Sequence, residues 1–314
     1  WVFQMVFAVT AATIVAGAVA ERTKTQAYLA YSFIIGAVIY PLYGHWVWGG
    51  GWLADLDKID LPAAADYAGS GVVHAIGGFV ALAGAIVVGA RTGKFNADGT
   101  SNIIPGHNVP YVIIGTFILF FGWFGFNINT GDSIGLNAMN TLLAGATGGV
   151  VALYIQLVRT GRTDVLMACN GTLAGLVGVT APVAFIEPWA AVAIGAIAAP
   201  IMICSVVFIE RVLKVDDPVG AVSVHGVCGL WGLLAVGIFA NGNNGVEGLV
   251  AGEGNQIFSQ LISMGVVLSW ALVTGFALFM FLKIGMGVRA TQEEEFEGLD
   301  ISEHALPAYG SAHD

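Results

Sequence analysis

GVVHAIGG, residues 71–78, places a histidine inside a stretch that runs from residue 69 to residue 90 without a charged side chain. A helix needs about 20 mostly apolar residues to cross the hydrocarbon of a bilayer, so this stretch reads as a membrane span with a titratable group in it. Working outward, the same rule marks nine apolar spans at about 1–20, 26–48, 69–90, 109–129, 134–158, 165–186, 189–209, 219–240 and 257–285. The composition agrees: 57% hydrophobic residues, 10% charged, 44 glycines and a mean hydropathy of +0.81 are far too apolar for a soluble domain. The alternating segments of an outer-membrane barrel are absent, which leaves an all-α polytopic membrane protein.

Ten of the eleven basic residues (Arg22, Lys24, Arg91, Lys94, Arg159, Arg162, Arg211, Lys214, Lys283 and Arg289) lie at the ends of spans one, three, five, seven and nine; only Lys58 falls on the other side. The positive-inside rule then runs the odd-numbered spans from outside to inside. It places the acidic tail, residues 286–314, in the cytoplasm of a multi-pass protein of the cell membrane, plasma or inner. The net charge of −10, partly from that tail, argues against a nucleic-acid partner. Cys169, Cys204 and Cys228 all fall in spans, without a CxxC or zinc spacing, and read as small packing residues. No metal and no cofactor is expected.

The chain opens on WVFQMVFAVT, already apolar and without an initiating methionine or a polar lead, as though it began inside a longer protein. An internal echo points the same way. GVVHAIGGFVALAG (71–84) resembles SVHGVCGLWGLLAVG (223–237): each has Val-His, then a small residue, then glycine three after that, and the two spans run in opposite directions. Antiparallel echoes mark inverted-topology repeats, with a pathway near the midplane where the halves meet. If His74 ends one half and His225 the other, the halves hold three and five spans, and two are missing from the front. The expected organisation is a transmembrane domain 1–285, made of the remainder of a first half (1–92), a second half (105–241) and a last helix (257–285), followed by the tail 286–314.

The spans contain no Asp, Glu or Arg, and Lys283 sits at the end of the last one, where it can snorkel. The histidines are the exception. Either of His74 and His225 alone is compatible with a core imidazole bonded to a backbone carbonyl; two at echoed positions favour a site. His45, Trp46, Trp48 and Trp52 lie at the outer end of span two, where an aromatic belt is the ordinary reading. Phe3 and Phe7 share a helix face near the same side, and Phe126, in FGWFGFNINT, ends span four there with the hydroxyl of Thr130 close by. Together they describe an outer vestibule whose aromatic faces attract small cations, above an apolar path holding paired histidines and no fixed charge.

A permanent ion such as potassium needs rings of carbonyls or carboxylates to replace its water, and none is evident. Ammonium can shed a proton, at a cost of roughly 3 kcal/mol near pH 7 at ~1.4 kcal/mol per pH unit, whereas moving a bare ion into a low-dielectric medium costs tens. Neutral imidazoles then accept hydrogen bonds from ammonia or relay the released proton.

GAVAERTK, HWVWGGGWLA, DYAGSGVVHAIGG, GWFGFN, GLVGVT, VDDPVGAVSVHGVCG and EEEFEGLDISEH extend in order along the chain. In these stretches the sequence closely resembles the ammonium transporters of the Amt/Mep/Rh family, and, having Trp48 and both phenylalanines, its Amt branch. The resemblance implies an inverted-repeat ammonium transporter fold with nine of eleven transmembrane helices present, and a homotrimer with one pore per protomer. It implies that His74 and His225 are the twin pore histidines, Phe7 and Phe126 the stacked gate above them, and Phe3, Trp48 and Thr130 the outer ammonium-recruitment site. Asp66 matches an aspartate that orders the pore entrance; the tail implies regulation by a PII-type signalling protein. The reading is a transporter and not an enzyme, with an ammonium receptor signalling through the tail as the alternative. A third class, an electron-transfer protein in which His74 and His225 ligate a haem axially, would be disposed of by a purified sample without Soret absorbance.

Overall fold

The computed structural model describes residues 1–128 and 133–309. All nine expected spans are helical: α1 (Val2–Ala18); α2 (Thr25–Ile34) and α3 (Tyr40–Trp48), joined through a π-helical turn at Ile35–Ile39; α4 (Ile76–Val88); α5 (Val109–Asn127); α6 (Ile134–Thr160); α7 (Val165–Thr180); α8 (Pro188–Arg211); α9 (Cys228–Phe239); and α10 (Asn255–Gly285). Among the described residues, seven segments are long and apolar enough to cross a membrane by themselves, and α1 and α7 are shorter, at 17 and 16 residues. Local sequence sets several ends. Asn108 and Asp164 accept hydrogen bonds from the Tyr111 and Met167 amides to start α5 and α7, and α8 starts on Pro188, whose missing N–H costs nothing there.

One expected boundary is corrected. The span read as 165–186 stops being helical at Thr180, because its last polar groups are taken by another segment. Tyr67 and Ala68 donate their amides to Ala181 and Thr180 carbonyls at 3.0 and 3.2 Å, and Ser70 Oγ donates to the Val177 carbonyl at 2.7 Å. Hydrogen bonds that continuation of the helix would have supplied are thus made across the bundle.

Arg22 is fully buried at the basic end of the bundle and donates to the carbonyls of Ala20, Gly89 and Asp216. Burial lowers its guanidinium to about 10, which leaves it charged at neutral pH. Arg91 clamps Asp216 with Nε and NH2 at 2.8 and 3.0 Å and reaches Glu21 with NH1. Burial works to raise the Asp216 carboxyl, but the hydrogen bonds from Arg91 outweigh it and hold it below the usual range. The tail lies on this same end. Lys24 and Ala290 amides donate to the Val288 and Arg22 carbonyls, and α11 (Gln292–Glu297) brings Glu295 against Thr92 and Arg289. In α12 (Leu299–His304), Glu303 accepts from the Thr25 amide. The acidic segment is docked along the ends of α1, α2 and α4.

Removing one partner of a buried pair leaves a charge without compensation, at about 3 kcal/mol, whereas an exposed partner contributes under ~1 kcal/mol. Asp216, 1% exposed, and Glu21, 54% exposed, sit on the same arginine. Asp216→Ala should therefore lower thermal stability in detergent severely, and Glu21→Ala by little.

Candidate functional site

His74 lies in a π-helical turn, Ser70–Ala75, that leads into α4, and His225 in another, Val222–Val227, that leads into α9. Such turns insert a residue into the helical repeat and re-aim side chains, and they concentrate at functional sites. An aspartate begins each, eight residues before its histidine. Asp66 Oδ1 accepts from the Gly69 and Ser70 amides at 2.8 and 3.0 Å, and Oδ2 from Gly71 and Val72 at 2.8 and 2.9 Å. Asp217 accepts from Ala221 and Val222 at 2.9 and 2.8 Å. Burial pushes both carboxyls up against these bonds, Asp217 to about 6.

The two segments cross at glycines. A Cβ on Gly78 would clash with the backbone of Gly226, and one on Gly229 would clash with the Ser70 carbonyl. Only so close an approach brings His74 Nδ1 to 3.2 Å from His225 Nδ1, with ring centroids 5.2 Å apart and planes 20° apart. His74 is 1% exposed, and its Nε2 has no hydrogen-bond partner among the described residues. Below the pair a cavity of ≈ 590 Å³ opens, mostly apolar, with Thr10, Thr13, Thr116 and Asn170 among its walls. Two imidazole nitrogens in direct contact leave no room for an iron between them, so the haem reading is set aside.

On the other side of His74 the aromatics stack in sequence. Phe126 is 5.8 Å from the His74 ring, Phe7 stacks on Phe126 at 4.4 Å, and Phe3 lies 4.7 Å beyond Phe7. Trp48 meets Phe7 edge-on at 5.9 Å and donates its indole N–H to the Asp66 carbonyl. Phe7 is 2% exposed and Phe3 43%, so the series runs from the buried histidine to the surface. His74, His225, Phe7, Phe126, Phe3, Trp48 and Asp66 therefore converge; Thr130 lies outside the described residues.

The model of the Ammonium Transporter Family matches residues 1–309. The chain belongs to the ammonium transporter family. Ammonium transporter Amt2 of Archaeoglobus fulgidus is 50% identical over 326 residues, covering 98% of this chain and 69% of the relative. Ammonium transporter 1 member 3 of Solanum lycopersicum is 37% identical, covering 100% of this chain and 75% of its own. Among solved structures, one described as "Sensor Amt Protein" superposes with a TM-score of 0.89 at 43% identity, over 96% of this chain and 75% of that one. Mep2 of Candida albicans does so with 0.83 at 29%, over 93% and 66%. The fold is thus the polytopic ammonium transporter fold, and the family's members are transporters.

Sequence reasoning passed over two members of the site. Asp217 carries the same eight-residue spacing to His225 that singled out Asp66. Trp123, three residues before Phe126 and so on the same helix face, stacks on His74 at 5.0 Å. The raised Asp217 value gives a test. A carboxyl at about 6 when folded and near 3.8 when unfolded binds its proton more tightly in the native state. Its contribution to stability is therefore greatest below pH 4 and falls as pH rises through 6, by on the order of 3 kcal/mol at ~1.4 kcal/mol per unit. Thermal denaturation across this range should lose that component in Asp217→Asn.

Proposed function

We propose that the protein conducts ammonium by recruiting it at an outer site of the Phe3 and Trp48 rings, to which Thr130, outside the described residues, is assigned by the resemblance, and by passing ammonia between the stacked Phe7 and Phe126 rings. Deprotonation occurs before His74, and ammonia and proton then move along or past the paired imidazoles. The observation that carries this reading is the His74 to His225 contact of 3.2 Å beneath an aromatic stack, in spans without Asp, Glu or Arg. Such a path offers hydrogen bonds to a neutral guest and, among the described residues, no charged side chain to replace the hydration of an ion. Asp66 serves the same end by holding the His74 turn and, through its carbonyl, the Trp48 indole.

In this reading residues 1–92 and 105–241 belong to opposite halves of an inverted repeat, 257–285 is a bracing last helix, and 286–314 is the tail. The exposed apolar faces of α5 and α6, among them Phe117, Phe121, Leu142 and Tyr154, suit burial against further protein in a homotrimer as well as against lipid. The cell membrane is the location, with the basic end and the tail in the cytoplasm, where a PII-type protein has access.

A second reading, an ammonium sensor, is favoured by the likeness to the sensor Amt protein and by a tail held to the ends of α1, α2 and α4. It keeps the same site and makes the tail its output. Methylammonium uptake into proteoliposomes tests the transport reading. His225→Ala is expected to lose at least about tenfold of the uptake through the loss of an imidazole partner, and Phe126→Ala to weaken discrimination against sodium. Normal binding with no uptake by the native protein would favour the sensor.

A further inference from the structure

The indole of Trp123 lies almost parallel to the His74 ring, 5.0 Å away and tilted by 12°. Its polar atom, Nε1, donates to Thr180 Oγ1 at 2.8 Å, and both side chains are buried. Thr180 in turn donates its hydroxyl proton to the Leu176 carbonyl at 2.7 Å, so the direction in which it accepts is fixed. The end of α7 that carries Thr180 is tied to the turn that carries His74. Ser70 Oγ donates to the Val177 carbonyl and accepts from the Ala181 amide, both at 2.7 Å. One short stretch, Leu176–Ala181, thus holds the imidazole's own turn and the ring stacked on that imidazole.

The consequence concerns what His74 can bind. Its Nδ1 faces His225, and its Nε2 is buried and unpartnered among the described residues. In the tautomer whose Nδ1–H donates to His225, Nε2 is a bare acceptor. A buried acceptor without a partner captures a donor that can reach it, and the indole on His74 carries one, which would point at Nε2 once the ring, released from Thr180, tilts out of the parallel stack. We propose that Thr180 is a positioning residue that sequesters the Trp123 N–H, so that His74 Nε2 stays free for the molecule passing along the path. The proposal rests on the reading of that path as one for ammonia. Ser70 supports it from behind by fixing the α7 end, and Thr180 acts through Trp123 without itself needing to touch the guest.

The test uses the protein in lipid, with ¹⁵N-labelled histidine for spectroscopy and ammonium-evoked current for flux. Thr180→Val keeps the shape and removes the acceptor; it should move the His74 Nε2 resonance to that of a hydrogen-bonded imidazole nitrogen and lower the current about tenfold or more. Thr180→Ser should restore both. Combining Thr180→Val with Trp123→Phe removes the competing N–H, and the current of the pair should exceed that of Thr180→Val alone, a coupling that loss of packing does not produce. Native resonance and current in Thr180→Val, or a double variant no better than the single one, would overturn the proposal. Should Thr180→Val fail to fold alone, the Trp123→Phe background decides: there the protein conducts alike with the native Thr180 and with Thr180→Val if the proposal holds, and a further loss of about tenfold on that substitution contradicts it. The nitrogen resonance is read without flux, so its outcome is independent of whether the path transports.

Discussion

Two membrane segments can hold imidazoles in hydrogen-bond contact only if their backbones nearly touch, and the crossing of Gly78 with Gly226 provides that approach. Everything at the site follows from this distance. A side chain at Gly78 would meet the Gly226 backbone well inside van der Waals contact and force the segments apart, and the 3.2 Å contact would open. The π-helical turns serve the same geometry by aiming each histidine from its segment toward the crossing. Their aspartates absorb the amides that such irregular starts would otherwise leave unpaired within the bundle.

The two ends of the bundle support this centre by different means. At the aromatic end, Asp66 joins the His74 turn to Trp48 and hence to the Phe7 and Phe126 stack. At the basic end, Arg22 and Arg91 bind Asp216, the neighbour of the residue that caps the His225 turn. The tail reaches Arg22 through the Ala290 amide, which donates to the Arg22 carbonyl, and the neighbouring helix ends through Arg289, Glu295 and Glu303. A chain of direct contacts therefore runs from the acidic tail to the turn of the second histidine.

The nine spans, the histidine pair and the aromatic series were legible because apolar length, spacing and a rare titratable residue inside a span are local properties of sequence. The echo between residues 71–84 and 223–237 was legible for the same reason, and the paired π-helical turns give it a structural basis. What escaped was set by tertiary contact. The early end of α7 depends on Ser70, more than a hundred residues away, and the role of Thr180 depends on an indole from α5. In sequence Trp123 is one more apolar side chain in an apolar helix; its stack on His74 exists only once α5 packs against the turn that leads into α4. Asp217 was within reach of pattern reasoning, since its spacing to His225 equals that of Asp66 to His74.

The proposed path admits a species able to lose a proton and rejects one that cannot. Current evoked in proteoliposomes by equal concentrations of ammonium and potassium, with the native histidine pair, separates the two cases. A saturable response to ammonium and none to potassium at any applied concentration is expected; comparable currents from both ions would mean that a charged, hydrated species crosses the site, and the proposed path would be wrong.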